Sequence, residues 1–315
     1  RAVKEARSLR KKTSRICGSR RRERSVKNPK IATAPPLLVQ TIGLLRRYDL
    51  RARKGLGQHF LIDSEALDKI IAAAELSPSD TVVEIGPGLG VLTERLAEKA
   101  GRVIAIELDN SLATRLRERL ASYKNVTVLN EDVLKVDPAT LLNQKAGNYK
   151  VVANLPYYIT SPVLRHFLES SVKPQMMVVM VQKEVAAQIT AAPGRLSILA
   201  VSVQLYGKPS LVTVVPAASF YPAPKVDSAV VRIDVYPGPA AGVTDPDSFF
   251  LIVKAGFKAA RKQIGNSLAQ GLNVPKPEAL ALLQQAGIDS LRRAETVTID
   301  EWARLWRIST QQSAK

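Results

Sequence analysis

The sequence predicts an α/β fold in which a mostly parallel sheet is covered by helices on both faces and is followed by a small helical domain. Three observations lead to this prediction. Strand-length apolar runs alternate with helix-length amphipathic segments between residues 81 and 205. Residues 237–239 read Pro-Gly-Pro and mark a linker, and the segments beyond it have a helical pattern. With 315 residues, 46% of them hydrophobic, the chain can bury a large core, and its length alone suggests two domains.

The predicted strands are nearly uninterrupted apolar runs, which is typical of strands buried on both faces of a sheet. Two later β-rich segments have no long helix between them and therefore predict a closing antiparallel pair. The elements are expected in this order: helix 64–74, strand 81–85, helix 91–100, strand 102–106, helix 111–122, strand 126–129, strand 151–153, helix 162–170, strand 176–181, helices 183–191 and 196–205, strands 211–215 and 229–235, and C-terminal helical segments 249–272, 277–286 and 299–308.

Positive charge is concentrated towards the two ends of the chain. The net charge is +18, and residues 1–54 hold 18 Lys and Arg against 3 Asp and Glu, whereas residues 55–243 hold 18 of each. Such an excess favours polyanionic partners, because basic side chains release counterions from phosphates. Residues 1–45 lack apolar periodicity and predict a disordered basic extension, although a transit peptide or an upstream start of translation would have the same composition. The expected domains are residues 1–45, 46–240 and 241–315.

Composition excludes several classes of protein. No apolar run approaches the roughly 20 residues of a membrane-spanning helix. Cys17 is the only cysteine, which excludes an internal disulfide framework and a cysteine-based metal site and favours a reducing compartment. His59 and His166 are too few and too far apart in the sequence to suggest a zinc site. We therefore expect a metal-free, monomeric and cytoplasmic protein, or an organellar one if residues 1–45 are a transit peptide.

A glycine-rich turn joins the first strand of the alternating part to its helix, at Gly86-Pro87-Gly88-Leu89-Gly90. Glycines let the backbone approach a ligand closely beside a helix N-terminus. Glu107 ends the next strand, where a carboxylate can accept hydrogen bonds from both hydroxyls of a ribose. Asp132 follows the third strand and can accept from an adenine amino group. This set predicts an adenosine-containing cofactor, and it fits a nicotinamide dinucleotide as well as S-adenosylmethionine.

The segment Asn154-Leu155-Pro156-Tyr157 lies at the end of the fourth strand and suggests a holder for a flat base with an exocyclic amine. Adenine N6 is a poor nucleophile because its lone pair is delocalised into the ring. Acceptors fixed around the amine favour the pyramidal nitrogen that attacks a methyl group. The Asn154 side-chain oxygen and the carbonyl of Leu155 or Pro156 can be these acceptors, while Tyr157 stacks on the ring. A tight turn after a buried strand would explain the same residues without a function.

Residues 57–61, Gly-Gln-His-Phe-Leu, precede the first helix of the alternating part and can fold over a cofactor. With this segment, the glycine turn, the two acidic residues and residues 154–157 in order, the chain resembles the ribosomal RNA adenine dimethyltransferases of the KsgA type. The resemblance runs from about residue 51 to residue 305 and continues through residues 182–185, 220–228 and 257–268. It implies a Rossmann-like class I methyltransferase fold with a mostly parallel seven-stranded sheet. It also implies S-adenosylmethionine as cofactor, contacted by His59, Leu61, Gly86, Glu107, Asp132 and Asn154.

The resemblance further implies the reaction, which is methyl transfer to N6 of two adjacent adenosines in a hairpin near the 3' end of small-subunit rRNA during ribosome biogenesis. The expected partner is therefore small-subunit rRNA within a pre-30S particle. Phe220 alone suggests a packed turn, but the resemblance makes it the second face of a base clamp opposite Tyr157. Three features depart from the common pattern of the family: His59, Tyr158 and the short loop 192–195. The cations expected on RNA phosphates are Arg51, Arg53, Lys54, Arg261 and Lys262.

Three alternative functions remain open at this point. The nearest is a methyltransferase of the same fold that acts on large-subunit rRNA, as antibiotic-resistance relatives do, although residues 261–268 favour the small subunit. A second is a non-catalytic RNA-binding assembly factor, against which the intact segment 154–157 argues. A third is a dinucleotide oxidoreductase, which would have no use for that segment or for Phe220.

Overall fold

The structure is a computed structural model that describes residues 35–50, 52–53, 55, 57–142 and 149–313. Seven strands form the central sheet and two short strands form a separate ladder. The strands are β1 (Phe60–Leu61), β2 (Thr81–Ile85), β3 (Arg102–Ile106), β4 (Val126–Leu129), β5 (Tyr149–Asn154), β6 (Met176–Gln182), β7 (Gly207–Val215), β8 (Phe220–Tyr221) and β9 (Ser228–Val235).

The central sheet has the order β4-β3-β2-β5-β6-β9-β7. Strands β2 to β6 are parallel to one another, and β9 runs antiparallel to both β6 and β7. All seven strands predicted for this sheet are present, and so is the closing antiparallel pair. The predicted α/β class is therefore confirmed.

The helices pack on the two faces of this sheet because successive strand residues point to opposite sides. Val82 of β2 lies in a cluster with the second and third helices, whereas Val83 lies in a cluster with the sixth to eighth. The helices are α1 (Pro36–Arg47), α2 (Ser64–Ala74), α3 (Val91–Ala97), α4 (Asn110–Arg119), α5 (Pro138–Leu141), α6 (Thr160–Leu168), α7 (Lys183–Ile189), α8 (Ile198–Gln204), α9 (Pro246–Gly256), α10 (Ile264–Leu272), α11 (Lys276–Gln285) and α12 (Ile299–Ser313).

The C-terminal helices α9 to α12 share a continuous apolar cluster with one face of the sheet. Trp302, which is fully buried, belongs to this cluster. The short loop 192–195 is tied to the same region, since the Gly194 N–H donates to the Glu295 carbonyl at 2.9 Å. The single helical segment predicted for residues 249–272 is two helices, α9 and α10. Between them the Ser267 hydroxyl accepts from the Ala259 N–H at 2.9 Å and stabilises the turn.

Helix α1 was not predicted, and the expected disorder of residues 1–45 is wrong for residues 36–45. Pro36 occupies the first helical position, where a proline's missing N–H is not needed. Leu45 is buried and shares a cluster with Phe60, Leu89 and Leu112, so burial of an apolar helix face stabilises the segment. Residues 1–34 lie outside the described part of the chain.

The ladder of β1 and β8 was also not predicted. It is antiparallel, and its partners are Phe60 with Tyr221 and Leu61 with Phe220. This pairing fixes the segment before α2 beside the segment before β9, at the edge of the central sheet where the site is found.

Candidate active site

A cavity lies at the carboxyl ends of the parallel strands β2, β3 and β5, beside the loop that follows β4. Its walls come from five stretches of chain, which are residues 57–61, 84–92, 106–108, 131–134 and 154–159. Strand β2 has its successor β3 on one side and β5 on the other, so the connections change direction here. Open α/β sheets bind their ligands at such a point. The predicted segments are thus brought together at one site.

The glycine turn after β2 is a backbone cradle on one side of the cavity. Gly86, Gly88 and Gly90 all have positive φ angles, of 65°, 58° and 83°. A side chain at Gly88 would also lie 3.2 Å from the Phe60 ring. The Gly88 N–H donates to Glu107 Oε2 at 3.1 Å and so links the turn to the next strand. Because glycines have no side chains, a ligand in the cavity can approach this part of the backbone closely.

Glu107 and Asp132 lie on the cavity wall, as predicted. Glu107 is almost fully buried, and its other oxygen, Oε1, accepts from the Asp109 N–H at 2.9 Å. Burial raises the pKa of the Glu107 carboxyl above its usual value. Asp132 accepts from the Leu134 N–H at 3.1 Å and begins a short 3-10 turn. The backbone therefore fixes both carboxyl groups before any ligand arrives.

Asn154 is held by its own amide group. Its Nδ2 donates to the His59 carbonyl at 3.2 Å, which directs the side-chain oxygen away from His59. The Pro156 carbonyl already accepts from the Ile159 N–H at 3.1 Å, so the Leu155 carbonyl is the better second acceptor for an amine. The Leu155 N–H is bonded to the Met180 carbonyl at 3.1 Å, which anchors the segment to β6.

Tyr157 is anchored through its hydroxyl, which lies 2.7 Å from Ser228 Oγ. Burial raises the pKa of the Tyr157 phenol, so the group stays protonated near neutral pH. Its ring faces the His59 ring with centroids 6.0 Å apart and planes at 22°. The His59 Nδ1 atom lies 2.7 Å from the Pro222 carbonyl and must carry the proton of this bond, because a carbonyl only accepts. Ser228 and Pro222 were not predicted as site residues, although both belong to the segment 220–228 that carries the family resemblance.

Phe220 is not placed as the clamp prediction required. Its side chain is only 3% exposed and packs in the cluster of Leu61, Leu67 and Val215, outside the cavity wall. The reason is its pairing with Leu61 in the short ladder, since residues directly opposite on paired strands point to the same side. Leu61 itself is buried but reaches the cavity. The ring that faces Tyr157 in this structure is His59.

The predicted RNA-binding cations are spread over the surface. Arg53 is exposed, and its Nη1 pairs with Oδ2 of buried Asp109 at 3.3 Å. Arg261 and Lys262 are exposed on the turn between α9 and α10, away from the cavity wall. Arg51 and Lys54 lie outside the described residues. In the part of the chain that the structure describes, no group of three or more His, Cys, Asp and Glu side chains can hold a metal, and no helix has the length and apolarity to cross a bilayer.

The parallel sheet, the glycine cradle, the strand-end carboxylates and the amine-holding segment define a class I methyltransferase that uses S-adenosylmethionine. The residues present fit this cofactor: a side chain at Gly88 would crowd the cradle against Phe60, and the carboxyl groups of Glu107 and Asp132 lie on the cavity wall. A sequence profile described as ribosomal RNA adenine dimethylase matches residues 49–311. The chain belongs to the ribosomal RNA adenine dimethylase family, and it is an S-adenosylmethionine-dependent rRNA adenine dimethyltransferase.

Individual relatives agree with this assignment. The chain is 53% identical to the ribosomal RNA small subunit methyltransferase A of Dehalococcoides mccartyi, over 90% of this chain and 97% of that protein. It is 46% identical to the protein of the same name from Moorella thermoacetica, over 85% of this chain and 96% of that protein. Among solved structures, a dimethyladenosine transferase from Plasmodium falciparum matches with a TM-score of 0.70 and 27% identity, over 81% of this chain and 98% of that chain. The 23S rRNA methyltransferase ErmE matches with a TM-score of 0.64 and 31% identity, over 79% of this chain and 98% of that chain.

Proposed function

We propose that this enzyme methylates N6 of two adjacent adenosines in a hairpin near the 3' end of small-subunit rRNA, producing N6,N6-dimethyladenosine during ribosome biogenesis. The observation that carries the chemistry is the fixed carboxamide of Asn154 at the cavity, held by the His59 carbonyl. The choice of the small subunit is supported by the names of the relatives that match nearly the whole chain.

In the proposed mechanism the protein positions the amine and contributes no nucleophile or strong base. S-adenosylmethionine supplies a methyl group on a sulfonium, which is already a good leaving group. The Asn154 side-chain oxygen and the Leu155 carbonyl accept hydrogen bonds from the two N–H groups of the adenine amine, which favours a pyramidal nitrogen. The ring of Tyr157 stacks on the base. Because the protein holds the amine and the methyl group in fixed positions, the barrier to methyl transfer is lowered further. The proton lost by the amine passes to water.

Phe220 stays in this proposal as the second ring, and His59, Leu61, Gly86, Glu107, Asp132 and Asn154 as cofactor contacts. Phe220 is paired with Leu61, which lines the cavity, so its ring lies beside a cavity residue. We assign catalysis to residues 46–240 and RNA contact chiefly to residues 241–315, with Pro156, Arg53, Lys54, Arg261 and Lys262 on the RNA. The enzyme acts on pre-30S particles as a metal-free cytoplasmic monomer.

A large-subunit rRNA target is the second candidate, because the ErmE structure matches most of the chain at 31% identity. The two targets are separated by methylation of isolated 30S and 50S subunits from a strain that lacks the modification, followed by primer extension, which stops at dimethylated adenine. We expect stops near the 3' end of the small-subunit rRNA. Stops confined to the large-subunit rRNA would transfer the assignment to the second candidate.

The role of Asn154 is tested by Asn154→Ala. We expect methyl transfer to fall by about 10²-fold or more, as for other single polar groups at preorganised sites, while RNA binding measured by filter retention persists. Asn110→Ala is a suitable control, because Asn110 is exposed at the start of α4 and does not line the cavity. Turnover of Asn154→Ala within a few-fold of the control would reject the assigned role.

A further inference from the structure

Two consecutive tyrosines lie at the end of the segment that holds the adenine amine, and their side chains have different surroundings. Tyr157 and Tyr158 begin a 3-10 turn that ends at Ile159. A 3-10 helix has about 3 residues per turn, so consecutive side chains point about 120° apart. Tyr157 is half-buried, with its hydroxyl on Ser228, whereas Tyr158 is 55% exposed and also lines the cavity. Tyr158 therefore lies where the cavity meets solvent.

The Tyr158 ring is supported on one side by the loop before β1. A Cβ atom built on Gly57 would meet this ring at 3.5 Å and the Pro156 side chain at 3.8 Å, which are ordinary van der Waals distances. The loop therefore packs beside the ring. The backbone of the turn is fixed as well, because the Ile159 N–H donates to the Pro156 carbonyl at 3.1 Å. A ring that is held in this way loses little conformational freedom when a flat ligand stacks on it.

Core packing does not account for Tyr158. Its side chain belongs to none of the apolar clusters formed by the described residues, unlike Phe220, which is buried in one of them. Exposed aromatic side chains beside a cavity are typical of binding surfaces, because a ring offers a large contact area at a small cost in rotamer freedom. Tyr158 also departs from the common pattern of the family, so the resemblance assigns it no role.

The position of Tyr158 matches that of the nucleotide beside the target. An adenine that enters the cavity must leave the RNA stack, and its neighbour in the chain then loses a stacking partner. One phosphodiester links the two nucleotides, so the neighbour lies just outside the cavity when the target lies against Tyr157. Aromatic side chains bind such unstacked bases through their ring faces.

We propose that Tyr158 stacks on the nucleotide next to the adenosine in the cavity. Tyr157 then supports the adenine that is being methylated, and Tyr158 supports its neighbour. The inference rests on the proposed function, in which the two targets are adjacent, so the neighbour is the other adenosine of the pair. Tyr158 is a positioning residue in this role, because stacking on the neighbour stabilises the unstacked RNA without contact with the reacting atoms.

The experiment compares variants of the full chain on 30S subunits that lack the modification. Tyr158→Ala removes the ring, and we expect kcat/KM for the subunits to fall by about 5-fold to 150-fold, the range that the loss of one stacked base gives. Tyr158→Phe keeps the ring and should retain the wild-type rate. Tyr236→Ala is the control, because Tyr236 is also exposed but lies outside the cavity wall. Equal rates for Tyr158→Ala and this control would overturn the proposal.

Cofactor affinity separates this role from a contact with S-adenosylmethionine. Calorimetric titration of Tyr158→Ala with the cofactor should give the wild-type Kd, and the melting temperature should not change, because the side chain is exposed. A raised Kd for the cofactor, with an unchanged KM for the subunits, would make Tyr158 a cofactor contact and refute its assignment to the neighbouring nucleotide.

Removal of the neighbouring base tests the stacking itself. Subunits can be reconstituted with small-subunit rRNA whose 3' end is a synthetic fragment in which one of the two adenosines is abasic. With the wild-type enzyme, methylation of the remaining adenosine should slow by about the factor that Tyr158→Ala causes on intact RNA. The variant should lose little more on the abasic RNA, since both changes remove the same contact. Losses that multiply would reject the inference, whereas a wild-type enzyme that does not methylate intact 30S subunits would reject the proposed function instead.

Discussion

The two halves of the active-site cavity are built in different ways. The cofactor half consists of adjacent strand ends, and its bond between Gly88 and Glu107 joins positions only 19 residues apart. The base half depends on bonds between distant segments. Asn154 is bonded to His59, 95 residues away, and Tyr157 to Ser228, 71 residues away.

The central sheet therefore positions the cofactor half, whereas contacts between segments that are distant in the sequence position the base half. The cofactor half is positioned by the ladders of β2, β3 and β4, which lie in the central sheet. The base half is positioned by side-chain bonds and by the two-residue ladder of β1 and β8. We therefore expect substitutions of Tyr157, Ser228 and Phe220, which are base-half residues with no proposed cofactor contact, to affect RNA methylation without affecting cofactor affinity. Substitutions in the cofactor half should have the reverse selectivity.

The largest expected effect concerns Phe220, which the resemblance assigns to the base half and the structure places in the core. Phe220→Ala should lower the free energy of unfolding by about 3–5 kcal/mol, because it opens a cavity in a packed cluster. Phe220→Leu keeps an apolar side chain and should cost less than about 1.5 kcal/mol. Urea denaturation measures both values.

Methyl transfer by the folded Phe220→Leu variant then decides whether the ring contacts the base. Stacking contributes about 1–3 kcal/mol per base, so we expect a loss of roughly 5-fold to 150-fold in kcat/KM for RNA with unchanged cofactor Kd. Normal transfer by this variant would confine Phe220 to the core and leave Tyr157 and His59 as the rings of the base half.

The same contrast explains which parts of the molecule were predictable. The strands of the central sheet were predictable because buried parallel strands are apolar runs, and the positions of Glu107 and Asp132 at the cavity were predictable because both residues follow such strands. The ladder of β1 and β8 was missed because two residues show no periodicity and their partners are about 160 residues apart. Phe220 belongs to that ladder, so its buried position could not be predicted for the same reason.

Helix α1 was missed for a related reason. Its basic residues and the prolines before it resemble the composition of the basic segment upstream, and only its contacts with Phe60 and Leu112 reveal a buried face. Ser228 lies in the segment 220–228 that carries the resemblance, but the sequence predicts no role for it, because its bond to Tyr157 crosses from β9 to the turn after β5. Local patterns therefore identify Asn154 and Tyr157 themselves but not the distant residues that hold them in place.

An intermediate effect is expected in the cofactor half, at Gly88. Gly88→Ala places a side chain at φ 58° and 3.2 Å from the Phe60 ring. The left-handed conformation costs about 1–2 kcal/mol for a residue with a side chain, so we expect a loss of stability of that size and a raised Kd for S-adenosylmethionine. Gly43→Ala is the matched control, because Gly43 lies within α1 and has open space around it. This substitution should raise the free energy of unfolding by about 0.5–1 kcal/mol. A Gly88→Ala variant that loses RNA affinity but binds cofactor normally would contradict the division into halves.

The smallest effect concerns the bond between Tyr157 and Ser228, and it tests whether the base half can be weakened alone. Tyr157→Phe and Ser228→Ala each remove this bond while leaving the stacking ring in place. Each should cost about 0.5–1.5 kcal/mol, because one buried hydroxyl loses its partner, and the double variant should cost less than the sum. We expect the effect in kcat for RNA methylation and in thermal stability, with the Kd for S-adenosylmethionine unchanged.

If the Ser228 bond is needed only for folding, Tyr157→Phe will shift the melting temperature and leave kcat at its wild-type value. If instead both single variants weaken cofactor binding, the two halves are mechanically coupled through β9. The division inferred from the sequence separation of the bonded residues then does not hold.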